Sequence, residues 1–484
     1  MSETGASRDA GADLGEGDGF PSAYRDAWEP GAGAETAGAT AAEAAEDSDR
    51  DLPHVVAWNL TARCNLECPH CYISAGSWRS DGDDLSTEEC RRITDQVLDV
   101  NPAPLFVLSG GEPLVRDDLE EIAAYASGQG ATVVVGTNGT LLTRDRIASL
   151  KDAGVRGVAI SVDSLDPDYH DRFRRGAGAL EQTLAAVERL REGRLDFVVQ
   201  TTLTRANREE VPELVAWAAE KGAVCFNLYF LVGTGRGEGM ASDGRLTGLS
   251  PEQNEEVLAE LAELQREYRG RLMIRSKCQP QLMRHVHERD PDSPLLNYRT
   301  RCPCGVQYCR ITPEGKVTPC PYMPEVAGDL REASFGEVWR GSELFRRLRE
   351  ESLGGKCGRC AYRELCGGCR ARAHAETGDP MGPDESCAYE PDGREEAIQP
   401  PREITYGESA DREMPWTEDA EERLERVPSF VRGVVANRLE DYARRKGESR
   451  VTAELMTRVR KEMPIDFSER MPFFARGGEG DGDE

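Results

Sequence analysis

The 484-residue chain holds fifteen cysteines, and twelve of them lie in two groups. The first, Cys64-Asn65-Leu66-Glu67-Cys68-Pro69-His70-Cys71, sets three thiols in a C-x3-C-x2-C run on one short loop. Three thiolates so spaced hold three irons of a [4Fe–4S] cube and leave the fourth open. An open iron binds and activates a small molecule, whereas a four-cysteine cube normally only transfers electrons. Zinc on the same thiols and His70 is the competing use. The second group is Cys302, Cys304, Cys309, Cys320, Cys357, Cys360, Cys366, Cys369 and Cys387, set among glycines, prolines and short turns as in a small metal-stapled domain. A double zinc ribbon is its competing reading. Cys90, Cys225 and Cys278 stand alone, and burial as small hydrophobes accounts for them.

The first loop follows a short apolar strand, Val55-Val56-Ala57-Trp58. Strands and helices then alternate: strand 105–108, helix 117–129, strand 132–135, helix 143–153, strand 158–162, helix 180–191, strand 197–203, helix 209–221 and strand 226–231. Such alternation indicates βαβ units and a parallel sheet. Polar and glycine residues gather at the carboxyl ends of the strands: Gly110-Gly111-Glu112-Pro113, Gly136 to Gly139, Ser161 to Ser164 and Gly233 to Gly237. That edge is where parallel α/β folds bind ligands. Residues 1–51 are acidic, rich in glycine and alanine and read as disordered; 393–414 reads as a linker, 415–464 as two or three helices, and 465–484 as a tail.

A formal charge of −28 argues against nucleic acid as a partner. No apolar run is long enough for a membrane span, and no basic-then-apolar secretory signal opens the sequence. A cytoplasmic location follows, where thiols stay reduced and clustered cysteines hold metal.

The C-x3-C-x2-C loop with Tyr72 after it, and the Gly110-Gly111-Glu112-Pro113 turn one βα unit later, resemble the radical S-adenosylmethionine (SAM) family. The resemblance implies a partial (β/α)6 barrel over residues 52–300 and a SAM-cleaving [4Fe–4S] cluster on Cys64, Cys68 and Cys71. It also implies a SAM site at Gly110, Gly111 and Glu112, with Asn138, Ser161 and Asp163 as strand-end contacts and Thr202 and Asn207 as weaker ones. Glycines let carbonyls approach the SAM amino group, and a carboxylate completes the site. Helix capping and turn formation are the alternative roles of the polar residues. Gly233–Gly237 is a poor phosphate loop and is assigned to the adenine pocket.

The Gly315-x4-Cys320 element and the later cysteines resemble a SPASM domain, here 301–392, which carries two auxiliary iron–sulfur clusters. By that resemblance Cys357, Cys360, Cys366 and Cys387 hold the outer cluster. Cys320 and Cys369 hold the inner one with two of Cys302, Cys304 and Cys309, and Cys302 and Cys309 are favoured. The last interval, two residues, departs from members that have three.

Residues 53–61, 233–237, 308–322 and 366–373 are similar to enzymes of the alternative heme pathway and heme d1 synthesis. That similarity implies an iron-tetrapyrrole substrate, held by arginines such as Arg236, Arg370 and Arg372, and a ferredoxin or flavodoxin as electron donor. Heme b synthase and Fe-coproporphyrin synthase chemistry both remain open. Residues 416–454 resemble a helical module of a protochlorophyllide reductase subunit. A peptide-modifying maturase and a non-catalytic electron carrier are the alternative functions.

Overall fold

The computed structural model describes residues 51–462 apart from 81, 243–246, 270, 292, 298–300, 395, 400–413, 426 and 428. The N-terminal segment, most of the linker and the tail therefore lie outside the described residues.

Seven parallel strands form the barrel wall: β1 Val55–Thr61, β2 Leu105–Gly110, β3 Thr132–Thr137, β4 Val155–Ser161, β5 Phe197–Leu203, β6 Cys225–Phe230 and β7 Met273–Lys277. Runs such as Thr132-Val133-Val134-Val135 pack on both faces, as a covered parallel sheet requires. The intervening helices start where side chains cap them. Ser86 and Glu89 form a capping box at Thr87–Leu98, and Ser250 and Gln253 another at Pro251–Glu267, with proline in the first turn.

The partial barrel is longer than six strands, and the Cys-rich segment is sewn into it. Its strand β8 (Tyr308–Ile311) pairs in parallel with β1, Val55 opposite Tyr308 and Trp58 opposite Ile311. The strands β9 (Lys316–Thr318) and β10 (Gly328–Asp329) continue the sheet to ten strands. The expected boundary near residue 300 thus falls inside one continuous sheet.

Three helices, Glu418–Glu425, Ser429–Lys446 and Ala453–Glu462, make up the C-terminal module. Its apolar residues Ala420, Leu424, Leu439, Tyr442 and Leu455 join a second core with Leu105, Val134, Ala159, Val198 and Cys225 of the barrel interior. Ser429 fixes the junction. Its backbone N–H and hydroxyl donate to Ala103 O (3.1 and 2.8 Å), and its hydroxyl meets His54 Nδ1 (2.9 Å) and Asn101 Nδ2 (3.0 Å). These partners lie just before β1 and β2, so the module is the floor of the barrel, opposite the strands' carboxyl ends.

Candidate active site

Gly110 and Gly111 end β2 against the chain that leaves β1. A Cβ on either would run into the carbonyl oxygen of Thr61 or Arg63, so glycine is required by close backbone approach. Gly111 N–H donates to Thr61 O (2.8 Å) and Glu112 N–H to Arg63 O (2.9 Å), which fixes the cysteine loop over the end of the strands. From the far side Arg236 clamps the same loop: Nε donates to Cys68 O (2.8 Å), Nη1 to Ala75 O (2.6 Å), and its backbone N–H to Cys71 O (3.1 Å). Gly233–Gly237 thus braces the cysteine loop, and of those five residues only Arg236 lines the cavity.

Cys64 and Cys68 are buried, and Cys71 is half-buried. Leu66 N–H donates to Cys64 Sγ (3.4 Å) and Ala75 N–H to Cys71 Sγ (3.3 Å). Arg174 Nη1 lies 3.9 Å from Cys68 Sγ, while its Nε pairs with Asp163 Oδ2 at 2.6 Å. Burial pushes the Cys64 thiol up to about 12 and raises Cys68 as well, although Arg174 opposes the rise at Cys68. Thiolates persist there when a bound metal supplies positive charge. His70, the rival zinc ligand, stacks flat on Phe173 (4.3 Å, 13°).

Glu112 and Asp163 are not among the residues that line the cavity. Glu112 is fully buried and accepts from Thr137 Oγ1 (2.7 Å), Asn138 N–H (2.8 Å) and Leu114 N–H (3.1 Å). Burial raises it to about 7 against the pull of those donors. Asp163 is spent on Arg174 and on Thr202 N–H (2.8 Å), and Asn207 on the carbonyls of Asp163 and Thr202. Gly110, Gly111, Asn138, Ser161 and Thr202 do line the cavity.

That cavity, about 660 Å³, runs from the cysteine loop across the barrel interior to a second group of thiols. Cys302 is within hydrogen-bonding reach of Cys304 and Cys369, Cys304 of Cys320, and Cys369 of Cys278. The thiols are strung in a chain; among the described residues no three such side chains meet as the shell of a single metal ion. A multi-iron cluster takes its thiolates at separate corners, so this donor set fits a cluster. Cys309 stands apart, which corrects the favoured pairing of Cys302 with Cys309. Strand alternation turns Tyr308 into the cavity and Cys309 into the core on the opposite face, toward Arg349. Cys304, beside Cys302 and Cys320, lies in the group instead. Cys278, read as an isolated hydrophobe, belongs to the group.

Outside it, Cys366 lies near Cys357 and Cys387, and Gly368 N–H donates to Cys366 Sγ (3.4 Å). Asp384, absent from the sequence reading, ties the two thiol groups together. It is fully buried, its backbone N–H donates to Cys357 Sγ (3.4 Å), and its carboxylate accepts from Cys369 N–H (2.8 Å) and Gln281 Nε2 (2.8 Å). Arg370 and Arg372 are structural: Arg370 donates to the carbonyls of Gly367, Pro380 and Gly382, and Arg372 to those of Cys278 and Leu231. Arg236 spends Nε and Nη1 on the loop, while its Nη2 has no hydrogen-bond partner among the described residues and the residue lines the cavity. Arg275 and Lys277 of β7, opposite Asn227 and Tyr229 of β6, also line the cavity. Around them Tyr72, Tyr229, Tyr308 and Tyr322 form an aromatic wall, with Tyr72 and Tyr322 5.3 Å apart.

A cysteine loop that opens into a cavity, with more thiols on the opposite wall, is the layout of an iron–sulfur enzyme doing radical chemistry on a bound substrate. Residues 58–218 match the radical SAM superfamily, 302–370 the SPASM iron–sulfur cluster-binding domain, and 416–460 the proto-chlorophyllide reductase 57 kD subunit family. An AdoMet-dependent heme synthase of Methanosarcina barkeri is 39% identical over 351 residues, covering 70% of this chain and 98% of the relative. A mycofactocin maturase of Mycolicibacterium smegmatis is 33% identical, covering 70% and 83%. Streptococcus suis SuiB bound to S-adenosylmethionine has the same fold, with a TM-score of 0.57, 16% identity and 70% and 78% coverage. The chain therefore belongs to the radical SAM superfamily, in the branch that carries a SPASM domain. It binds SAM and iron–sulfur clusters. Among the described residues no helix is long and apolar enough to cross a membrane.

Proposed function

We propose that this enzyme oxidatively removes carboxyl groups from propionate side chains of an iron porphyrin, as an AdoMet-dependent heme synthase, using three [4Fe–4S] clusters. The observation that carries the reading is the single cavity. The Cys64–Cys71 loop and the inner thiol group open into the same space, lined between them by Arg275, Lys277 and an aromatic wall. Flat aromatic surfaces suit a macrocycle, and paired cations suit its carboxylates. The 39% identity to the M. barkeri synthase supports the same assignment.

A cluster held by Cys64, Cys68 and Cys71 would supply the electron for reductive cleavage of SAM, and clusters on the auxiliary thiols would supply a sink for the electron the substrate loses. The residues of the chain position and enclose. Gly110, Gly111, Asn138 and Ser161 line the SAM end of the chamber. Glu112 orders the turn by holding Thr137, Asn138 and Leu114, and Asp163 acts through Arg174 on the cysteine loop. The C-terminal module closes the floor and keeps water from the reacting carbon. A ferredoxin or flavodoxin supplies the reductant from outside.

Anaerobic turnover with SAM, dithionite and Fe-coproporphyrin III, followed by mass spectrometry, tests the proposal. The expected result is stepwise loss of two carboxyl groups with one 5′-deoxyadenosine for each. Cleavage of SAM with an unchanged porphyrin mass overturns the substrate assignment. The maturase match favours a second reading, peptide modification. An altered peptide mass with an inert porphyrin would establish it instead.

A further inference from the structure

We propose that Cys278 is an iron ligand of the inner auxiliary cluster, so that this cluster takes a thiolate from the barrel as well as from the SPASM segment. Cys278 follows the last residue of β7, at the open edge of the barrel. Its φ is 60°, in the left-handed region, a conformation that a non-glycine residue keeps only where neighbours enforce it. The enforcing neighbours are in place. Arg372, itself buried, donates to the Cys278 carbonyl (2.7 Å), Gln279 Oε1 (2.6 Å) and Ser386 Oγ (2.9 Å), and Ser276 Oγ donates to Gln279 O (2.7 Å). The turn so held brings the thiol within hydrogen-bonding reach of Cys369, on the cavity wall that also presents Cys302, Cys304 and Cys320.

A thiol buried only for packing looks different in the same chain. Cys90 is fully buried, lies 4.0 Å from the Leu85 carbonyl oxygen and lines no part of the cavity.

With Cys278 the inner group counts five thiols, one more than a four-iron cube has corners. Cys278 as a ligand therefore leaves one of Cys302, Cys304, Cys320 and Cys369 outside the cube, and the four bound thiolates cap every iron, which suits an electron acceptor and leaves no iron for substrate. The ligand also pins the SPASM segment to the barrel across the side where β7 and β10 leave the sheet open.

This inference rests on the reading that the SPASM thiols carry two clusters, and the test separates the two. In a full-length chain with Cys64, Cys68 and Cys71 changed to alanine, iron analysis and electron paramagnetic resonance report the auxiliary clusters alone. Cys278→Ser puts oxygen in place of sulfur, Cys278→Ala removes the ligand, and Cys90→Ala is the control. The expected result is an altered inner-cluster signal and midpoint potential in Cys278→Ser. In Cys278→Ala the same changes appear, with loss of up to about four of the roughly eight irons two cubes need. The outer-cluster signal persists in both and shows that the fold is intact. If both variants keep the parent's iron content, signal and potential, Cys278 is not a ligand and the proposal falls. If the parent background shows fewer than two cluster signals, the two-cluster reading falls instead.

Discussion

Arg174 links the barrel wall to the cysteine loop, and replacing it with methionine separates two effects. Its side chain is 9% exposed and Asp163's is fully buried, with Nε and Oδ2 2.6 Å apart. Removing the guanidinium leaves a buried carboxylate whose remaining named donor is Thr202 N–H. An orphaned buried charge costs roughly 3–5 kcal/mol. Adding Asp163→Leu removes the orphan, so the double variant is expected to recover most of that loss. The second effect is electrical. Arg174 Nη1 sits 3.9 Å from Cys68 Sγ. A charged donor contributes about 1.5–3 kcal/mol, and at 59 mV per tenfold change its loss lowers the one-electron potential by roughly 60–130 mV. Asp163 also sets a pH dependence. Burial pushes it up, but Arg174 outweighs burial and holds it below its ordinary value. Its contribution is therefore present above about pH 4 and lost as pH falls below that. Urea unfolding of the metal-free chain measures stability, and anaerobic spectropotentiometry of the loaded enzyme measures potential. A single variant no less stable than the double, or an unmoved potential, would refute the reasoning.

Four further predictions concern the turn, the floor and the substrate wall. Gly111→Ala sets a Cβ against the Arg63 carbonyl, and overpacking of about 1–3 kcal/mol should weaken SAM binding roughly 5- to 150-fold in equilibrium dialysis. Burial, aided by Arg432, pushes His54 down to about 3, so neutral His54 at the floor is favoured in the folded state. Stability is then complete above about pH 6.5 and falls by about 1.4 kcal/mol per unit as pH drops toward 3; His54→Asn should flatten that slope in unfolding curves. Leu439→Ala, in the core shared with the barrel floor, should cost about 2–5 kcal/mol and raise the 5′-deoxyadenosine formed per product, whereas unchanged coupling would show that the floor does not guard the radical. Lys277→Met should raise the porphyrin KM while SAM cleavage without substrate stays at its parent rate.

The sequence by itself determined whatever depends on local spacing. Cys64, Cys68 and Cys71 share one loop because of their intervals, and Gly110-Gly111 marked a strand end. The alternation of strands and helices gave the parallel sheet, and the SPASM resemblance named an outer group of which Cys357, Cys366 and Cys387 lie near one another. Only the tertiary structure decided what depends on direction and long-range approach. Glu112 and Asp163 sit at the right strand ends yet do not line the cavity, each bound by partners from neighbouring strands and helices. Arg370 and Arg372 turned from substrate ligands into struts because distant carbonyls reach them first. Cys309 and Cys278 both depart from their expected surroundings for one physical reason. Strand alternation turned Cys309 into the core, and a left-handed turn, held by an arginine almost a hundred positions away in the chain, turned Cys278 toward the cluster wall. A thiol's identity is local, but the direction of its Cα–Cβ bond is set by backbone angles that distant contacts fix.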